Sequence, residues 1–263
     1  VITRFEYTLH PLGPEVLAGL IVYPLEQAKR VLTAYREFTQ TAPEELTVWS
    51  VMRHAPPLPF LPEAVHGKKV IVLAMMYAGD PETGQKHIAP LREFADAYGE
   101  HIGVMPYVEW QQAFDPLLTP GARNYWKSHN FSVLDSKAID VMLEYANSLP
   151  TAECEIFIAH IAGVPERIAT DAMAYSARNT KYVLNVHARW DNPAQDNHCI
   201  DWSRAFFNAT RPYASSGVYV NFMTAEETDR VADAYGGNYE RLVEAKRKYD
   251  PDNILHMNQN IKP

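Results

Sequence analysis

Apolar and polar residues alternate along this chain with two periods, one typical of strands and one typical of helices. A two-residue period or a short apolar run predicts strands at residues 1–9, 16–23, 46–54, 69–78, 101–105, 153–161, 180–190 and 217–223. A 3.6-residue period predicts helices after Pro24, at about 81–98, from Asp135 to 148, after Asn192, and at about 225–235 and 238–249. Asp135 has the side chain of a typical N-cap.

These elements favour one fold class over its main alternative. Most predicted strands alternate in polarity and are not solid apolar runs, which is typical of antiparallel sheets with one covered face. The pattern therefore predicts an α+β fold in which an antiparallel sheet is covered by helices on one face. A doubly wound α/β fold is the alternative, because strands and helices often follow each other along the chain.

The first residues of the sequence indicate whether it is a fragment of a longer protein. Residues 1–9 alternate like a half-buried strand and do not begin with methionine. We therefore expect the chain to be a fragment that continues from a preceding segment.

Composition and charge narrow the range of partners. The 263 residues carry a formal net charge of −8, and the one short basic cluster, residues 246–248, lies in a predicted helix. A nucleic-acid partner is not expected without a basic surface, and no apolar run approaches the ~18 residues of a membrane span. Cys154 and Cys199 are far apart in sequence, and we interpret them as buried thiols in a reducing compartment, the cytoplasm.

The absence of known sequence motifs argues against several classes of binding and catalytic site. The 12 glycines include no G-x-G-x-x-G or Walker spacing, so the chain is not expected to bind a dinucleotide's pyrophosphate by itself. The ten histidines are scattered, and neither His198 nor Cys199 belongs to a metal-ligand spacing, so no metal site is predicted. There is no G-x-S-x-G elbow of a serine hydrolase.

A series of linked signatures near the C-terminus has a specific resemblance. In chain order they are residues 217–222 (GVYVNF), 235–242 (YGGNYERL), 246–253 (KRKYDPDN) and 258–263 (NQNIKP). They resemble the Y-x-N-Y/F strand, the segment after the next helix, the K-x-x-Y/F-D-P-x-N motif and the N-Q-N-I-x-P ending of the berberine-bridge-enzyme-like FAD-linked oxidoreductases, in the vanillyl-alcohol-oxidase superfamily. Residues 182–190 (YVLNVHARW) are similar to an upstream strand of the family, so the resemblance covers essentially the whole chain. One departure is AYSAR at 174–178, where bacterial relatives often have Ala-Phe-Pro-His-Arg.

The resemblance implies a role for this half of the family's fold. Relatives bind FAD in an N-terminal domain, and the matching half forms the wall over the isoalloxazine ring where substrate lies. The chain is therefore expected to be the substrate-binding half of an oxidoreductase that transfers hydride from an alcohol, sugar or amine to flavin N5. Alone it would be inactive and without bound FAD. Residues 1–215 are implied to be the substrate domain, and residues 216–263 to pack back toward the FAD domain.

The same resemblance assigns the candidate base. Tyr219 is similar to the tyrosine that sugar-oxidising relatives use to remove the substrate proton while hydride leaves. A phenol is a poor base at neutral pH unless a cation or a hydrogen bond favours its anion. Asn221 is expected on the same strand face, facing flavin or substrate. Both residues could instead be structural, Tyr219 as a packed aromatic and Asn221 as a satisfied amide.

Other candidates come from residues 182–190 and their surroundings. Asn185, His187 and Arg189 share one face of the predicted strand, and Asn185 resembles a position where plant relatives keep a glutamine beside the substrate. Either His187 or Arg189 could favour the phenolate of Tyr219. The remaining candidates are Tyr175 and Tyr182, which could line the cavity or belong to the core, and Asn258 and Asn260, which resemble cofactor-side tail residues.

Two further functions remain open on the sequence alone. The chain could be a stand-alone small-molecule binding module without redox chemistry, or a structural or partner-binding domain. The expected partners of the main interpretation are a small-molecule substrate and the protein's own FAD domain. We expect Tyr219, Asn221 and Asn185 on an uncovered sheet face, where a second copy could also bind to form a homodimer.

Overall fold

The computed structural model describes residues 3–215 and 217–263. The strands are β1 (Glu15–Pro24), β2 (Leu46–His54), β3 (Lys69–Tyr77), β4 (Gly99–Pro106), β5 (Arg123–Phe131), β6 (Glu155–His160) and β7 (Tyr182–Trp190). The α-helices are α1 (Ala28–Thr39), α2 (Pro81–Ile88), α3 (Tyr107–Gln112), α4 (Ser136–Ala146), α5 (Val164–Arg167), α6 (Asp196–Thr210), α7 (Val231–Tyr235) and α8 (Tyr239–Tyr249). Asp135 caps α4 as predicted, accepting a hydrogen bond from the amide of Lys137 at 2.7 Å.

The seven strands form one sheet in the order β4-β1-β3-β2-β6-β7-β5, with every neighbouring pair antiparallel. The predicted α+β class with an antiparallel sheet is therefore confirmed, and the doubly wound alternative is excluded. The edge strand β5 was not predicted, because it carries polar residues such as Lys127, Ser128 and Asn130 in succession and shows no apolar alternation.

The main core lies between one face of the sheet and the helices. Side chains of α1, α4 and α6 pack there against the inward residues of the strands. Among the largest fully buried side chains are Tyr23, Tyr35, Phe131 and Phe206. The hydroxyl of Tyr35 donates a 2.8 Å hydrogen bond to the carbonyl of Val48 and so joins α1 to β2. Among the residues that the structure describes, a smaller apolar cluster lies on the opposite face, around Val22, Val70 and Val72.

Two strand predictions were wrong. Residues 3–14 form no strand and are exposed, because no neighbouring strand pairs with them; Val1 and Ile2 lie outside the described residues. The segment 217–223 also joins no sheet. Gly217 turns the chain with φ at +86°. Val220–Phe222 then forms a 3₁₀ turn whose backbone hydrogen bonds lie within the segment; the amide of Phe222, for example, donates to the carbonyl of Tyr219 at 2.9 Å.

The C-terminal segment from Val218 onward has a small core of its own. Val218, Met223 and Val231 are buried together, and Ile261 near the end of the chain packs against them. This cluster explains the apolar alternation at residues 217–223, because the apolar side chains are buried against α7 and the tail, not against a sheet.

A buried lysine fixes this segment to the edge of the sheet. Lys127 of β5 has 5% exposure, and its ammonium lies 2.7 Å from Glu226 and 3.3 Å from Glu227. Arg204 of α6 binds Glu226 at 2.6 Å, so the pair also reaches the helix layer. Burial opposes ionisation of Glu226, yet its hydrogen bonds, Lys127 first, lower its pKa to about 2. Burial likewise opposes ionisation of Glu227, but hydrogen bonds from Thr224 and other donors hold its pKa below the ordinary value.

Two observations concern the chemical environment. Cys154 and Cys199 are buried free thiols, as predicted, and burial beside Cys154 raises the pKa of Cys199 to about 12. Within residues 3–215 and 217–263, no helix combines the length and the apolar character needed to cross a membrane.

Lys127→Met should destabilise the protein by about 3 kcal/mol, because it leaves the nearly buried Glu227 with an uncompensated part of its charge. The measurement is the free energy of unfolding from urea titration. Lys29→Met is the matched control, since Lys29 and Asp140 are more than half exposed and such pairs contribute less than about 1 kcal/mol. Equal losses in the two variants would show that Lys127 does not anchor the segment.

His129 should make stability depend on pH. Burial lowers the pKa of His129 to about 4, and its ring nitrogen donates to the carbonyl of Phe207 at 2.9 Å. The unfolded chain takes up this proton near pH 6.5, so the stabilisation is complete above that pH and is lost as the pH falls toward 4. Between pH 7 and 4, we expect the wild type to lose about 3 kcal/mol more than His129→Gln. His198→Gln, at an exposed position, should keep the wild-type slope.

Candidate functional site

The candidate residues of β7 lie on the sheet face opposite the helices. Asn185, His187 and Arg189 alternate with residues of the main core, as their shared parity requires. In the antiparallel register with β5, Asn185 lies opposite Ser128 and His187 lies opposite Trp126. β5 and β7 therefore build one surface that carries aromatic side chains, neutral polar side chains and the charged Arg189.

His187 is held from three sides. Its Nε2 lies 2.8 Å from Oδ1 of Asn124, its Nδ1 lies 3.4 Å from Glu155, and its ring stacks on Trp126 at 4.2 Å between centroids. Glu155 is itself bound by Arg53 at 2.9 Å. This network gives His187 a fixed orientation.

Arg189 is directed toward the loop before β5. Its guanidinium donates to the carbonyl of Thr119 at 2.6 Å and lies 3.5 Å from Asn124 and 3.9 Å from Glu153. The Nε atom of the same guanidinium has no hydrogen-bond partner among the described residues, and none of these contacts involves the hydroxyl of Tyr219. The hypothesis that Arg189 favours the phenolate finds no contact to support it.

Tyr219 and Asn221 lie together, although not on a strand. The Asn221 amide donates a 2.9 Å hydrogen bond to the Tyr219 hydroxyl. The Tyr219 ring meets Phe222 edge-on at 5.1 Å, and Phe222 stacks with Trp126 at 6.4 Å. Trp126 and Phe222 therefore stand between Tyr219 and His187.

Tyr175 borders the same group from the preceding loop. Its ring lies edge-on to Tyr219 at 6.5 Å, and its hydroxyl donates to the carbonyl of Ala177 at 3.1 Å. Burial raises the pKa of Tyr175. The guanidinium of Arg178 covers the ring at 4.8 Å, so Tyr175 is held firmly beside Tyr219.

Three neutral polar side chains of this surface have no hydrogen-bond partner for their side-chain atoms among the described residues. They are Ser128, Asn130 and Asn185, which we call the polar cluster; each is at most 2% exposed. Ser128 lies opposite Asn185, and Asn130 lies one diagonal step along β5. Buried amides and hydroxyls normally find partners, so these three side chains are exceptions among the described residues.

Three further predictions about these residues need correction or comment. Tyr182 faces the main core, where its hydroxyl lies 2.6 Å from Thr39, because its position in β7 has the opposite parity from Asn185. The expectation that Tyr219, Asn221 and Asn185 share an open sheet face was wrong: Asn221 is exposed, but Asn185 is 2% exposed. Asn258 is exposed with φ at +57°, and Asn260 is partly buried in the tail.

Trp126, Ser128 and Asn130 were not predicted from the sequence as residues of this surface. All three lie on β5, the strand that polarity did not reveal. The available signal was the run Tyr125 to Phe131, whose ends are aromatic and whose length suits a strand.

Comparisons with known proteins agree on one family. The family model described as "Berberine and berberine like" matches residues 218–262. An FAD-linked oxidoreductase of Dictyostelium discoideum is 30% identical over 268 residues, covering 100% of this chain and 55% of the relative. The FAD-linked oxidoreductase YvdP of Bacillus subtilis is 27% identical, covering 99% of this chain and 57% of the relative.

Solved structures show the same fold. The berberine bridge enzyme from Eschscholzia californica matches with a TM-score of 0.78 at 17% identity, covering 97% of this chain and 56% of that protein. The BBE-like 1 protein of Physcomitrella patens matches with a TM-score of 0.79 at 16% identity, covering 96% of this chain and 55% of that protein. The chain thus spans about half the length of the relatives it matches.

Proposed function

Because this chain belongs to the berberine-bridge-enzyme-like family of FAD-linked oxidoreductases, we propose that it is the substrate-binding half of such an enzyme. The proposed reaction oxidises an alcohol, sugar or amine donor. FAD, when bound, would accept the hydride at N5. The observation that carries the proposal is the aromatic group in which Tyr219, hydrogen-bonded by Asn221, meets Phe222, which in turn stacks with Trp126 of β5.

The residues present fit a flavin ring. Trp126 and Phe222 present partly exposed aromatic faces, which suit a planar heterocycle. Asn221 is exposed beside them and can offer a donor and an acceptor to a ring edge. Among the described residues, the side-chain atoms of Asn185, Ser128 and Asn130 have no hydrogen-bond partner, which supports binding of a polar molecule at this face.

Tyr219 is the proposed base. Its hydroxyl, as phenolate, takes the O–H or N–H proton of the donor as the hydride leaves. The amide of Asn221 donates to that oxygen at 2.9 Å and so fixes its position. Asn221 is thus a positioning residue for the base. Tyr175 limits the ring's movement from the other side.

His187 and Arg189 have a supporting role in this proposal. His187 holds Trp126 by stacking, and Arg189 holds the loop at Thr119, so both stabilise the wall. Asn258 and Asn260 are proposed to face the FAD domain, together with the exposed apolar side chains of Ile254 and Met257. The two free thiols fit a reducing compartment, and we propose the cytoplasm.

Tyr219→Phe in the full-length flavoprotein should slow flavin reduction by about 10²–10⁴-fold, because it removes the base and keeps the ring. Stopped-flow absorbance under anaerobic conditions measures the rate, and the FAD content and melting temperature should stay near wild type. The donor is the best one found in a panel of alcohols, sugars and amines.

Tyr145→Phe is the matched control, because Tyr145 packs against Trp202 and Phe206 on the helix-covered face. It should leave the rate unchanged. A Tyr219→Phe rate within a factor of about three of wild type corresponds to less than 1 kcal/mol of barrier and would remove Tyr219 as the base. A full-length protein that purifies without flavin would favour the alternative, a binding module without redox chemistry.

A further inference from the structure

A cleft of about 660 Å³ lies between the loop before β7 and the start of α8. Its walls come from residues in the ranges 170–171, 176–179 and 232–240 and from Gly217, and no described residue of the sheet contributes to them. A volume of this size holds a small organic molecule. The proposed mechanism gives none of these wall residues a role, so the cleft is a separate feature of the fold.

Negative charge dominates the walls of the cleft. Asp171, Asp233 and Glu240 line it, and no lysine, arginine or histidine of the described chain does. These carboxylates take part in none of the salt bridges among the described residues. The N-terminus of α8 adds about half a positive charge at one end, which three full negative charges outweigh. The cleft, which we call the acidic cleft, therefore attracts cations.

A buried amide adds an acceptor to the acidic cleft. Asn238 lines it at 5% exposure, and its amide nitrogen donates to the carbonyls of Thr170 and Met173 at 2.6 and 2.9 Å. Because both neighbours are acceptors, the nitrogen must face them and the amide oxygen must point away. That oxygen accepts no hydrogen bond from the described residues and is not among their sealed atoms. It is therefore reached from the cleft, where a donor group of a bound molecule would satisfy it.

We propose that the acidic cleft binds an organic cation with two or more separated ammonium groups, of the linear di- or polyamine class. An ammonium group only donates hydrogen bonds, and the three carboxylates and the Asn238 oxygen only accept them. Among the described residues, no three His, Cys, Asp or Glu side chains are grouped so as to hold a metal ion. The negative charges are thus spread along the cleft, which suits an extended cation. This site does not depend on the proposed hydride transfer.

Gly237 allows the acidic cleft to be blocked without disturbing the fold. It lines the cleft, a Cβ added there would meet nothing within 4 Å, and its φ is not positive. Gly237→Arg should therefore fold normally and place a cation where the amine binds. We expect it to weaken spermidine binding by at least about 10-fold, because like charges repel at close range. Asp233→Asn should weaken binding by about 2- to 5-fold, the value of one exposed ion pair.

The experiment is isothermal titration calorimetry on the full-length flavoprotein. Spermidine, putrescine, butylamine and magnesium chloride are titrated separately at low and at physiological salt, since added salt should weaken an ionic site. Ala245→Arg and Glu244→Gln are the matched controls. Both positions are exposed on α8 outside the cleft, so each control makes the same change in net charge as its test variant. The melting temperature of every variant is measured alongside.

Single-site binding of spermidine supports the proposal when Gly237→Arg and Asp233→Asn weaken it, both controls keep it, and butylamine binds at least about 10-fold more weakly. No binding of spermidine or putrescine overturns it. Equal losses in test and control variants also overturn it, because they indicate only a general attraction to an acidic protein. Binding of Mg²⁺ as tight as that of spermidine overturns the amine class. If Gly237→Arg lowers the melting temperature, Asp233→Asn and its control decide. The rate of flavin reduction enters none of these outcomes, so a failure of the oxidoreductase proposal remains distinguishable.

Discussion

The two-residue period of β5 and β7 is the constraint on which the candidate site depends. Each strand sends alternate side chains to opposite faces, so the residues that fill the core fix which residues are left for the other face. Leu184 and Val186 pack under the helices, and Asn185 and His187 consequently face away from them. A one-residue shift of β7 would move its core side chains to the other face and bury the polar ones under the helices. The hydrophobic core therefore fixes which residues of β7 face the site.

The second determinant of the candidate site is the set of ion pairs that Lys127 makes at the edge strand β5. Lys127 lies in the helix-facing set of β5, and through Glu226 and Glu227 it holds the turn that carries Tyr219. That turn crosses from the helix side of β5 to the opposite face, where Phe222 meets Trp126. A residue on one side of the sheet therefore positions a residue on the other. These ion pairs hold the irregular segment around Tyr219 in place although it forms no strand of the sheet.

The sequence predicted correctly those strands in which the alternation of polar and apolar residues arises from the sheet itself. Residues 46–54 and 69–78 alternate or run apolar because they pair on both sides within the sheet, and they were placed to within a residue. The segment 217–223 has the same alternation for another reason, burial against α7 and the tail, and polarity cannot separate the two causes. β5 was missed because polar and ion-paired side chains stand where apolar ones would reveal a strand. For Tyr182 the information was present, since strand parity already separates it from Asn185.

The ends of the sheet order limit how this fold can assemble with another copy. One outer strand, β4, carries Glu100 paired with Arg92 and ends at Pro106, features that discourage addition of a further strand. The other, β5, has the backbone of Ser215 bonded to the carbonyl of Asn130 at 2.8 Å, so its rim is already occupied there. Growth of the sheet by lateral strand exchange, as in domain swapping or amyloid, is thus disfavoured at both rims. A second copy or another domain would then bind through side-chain contacts on a face of the sheet, and the strand register that positions the wall would stay unchanged.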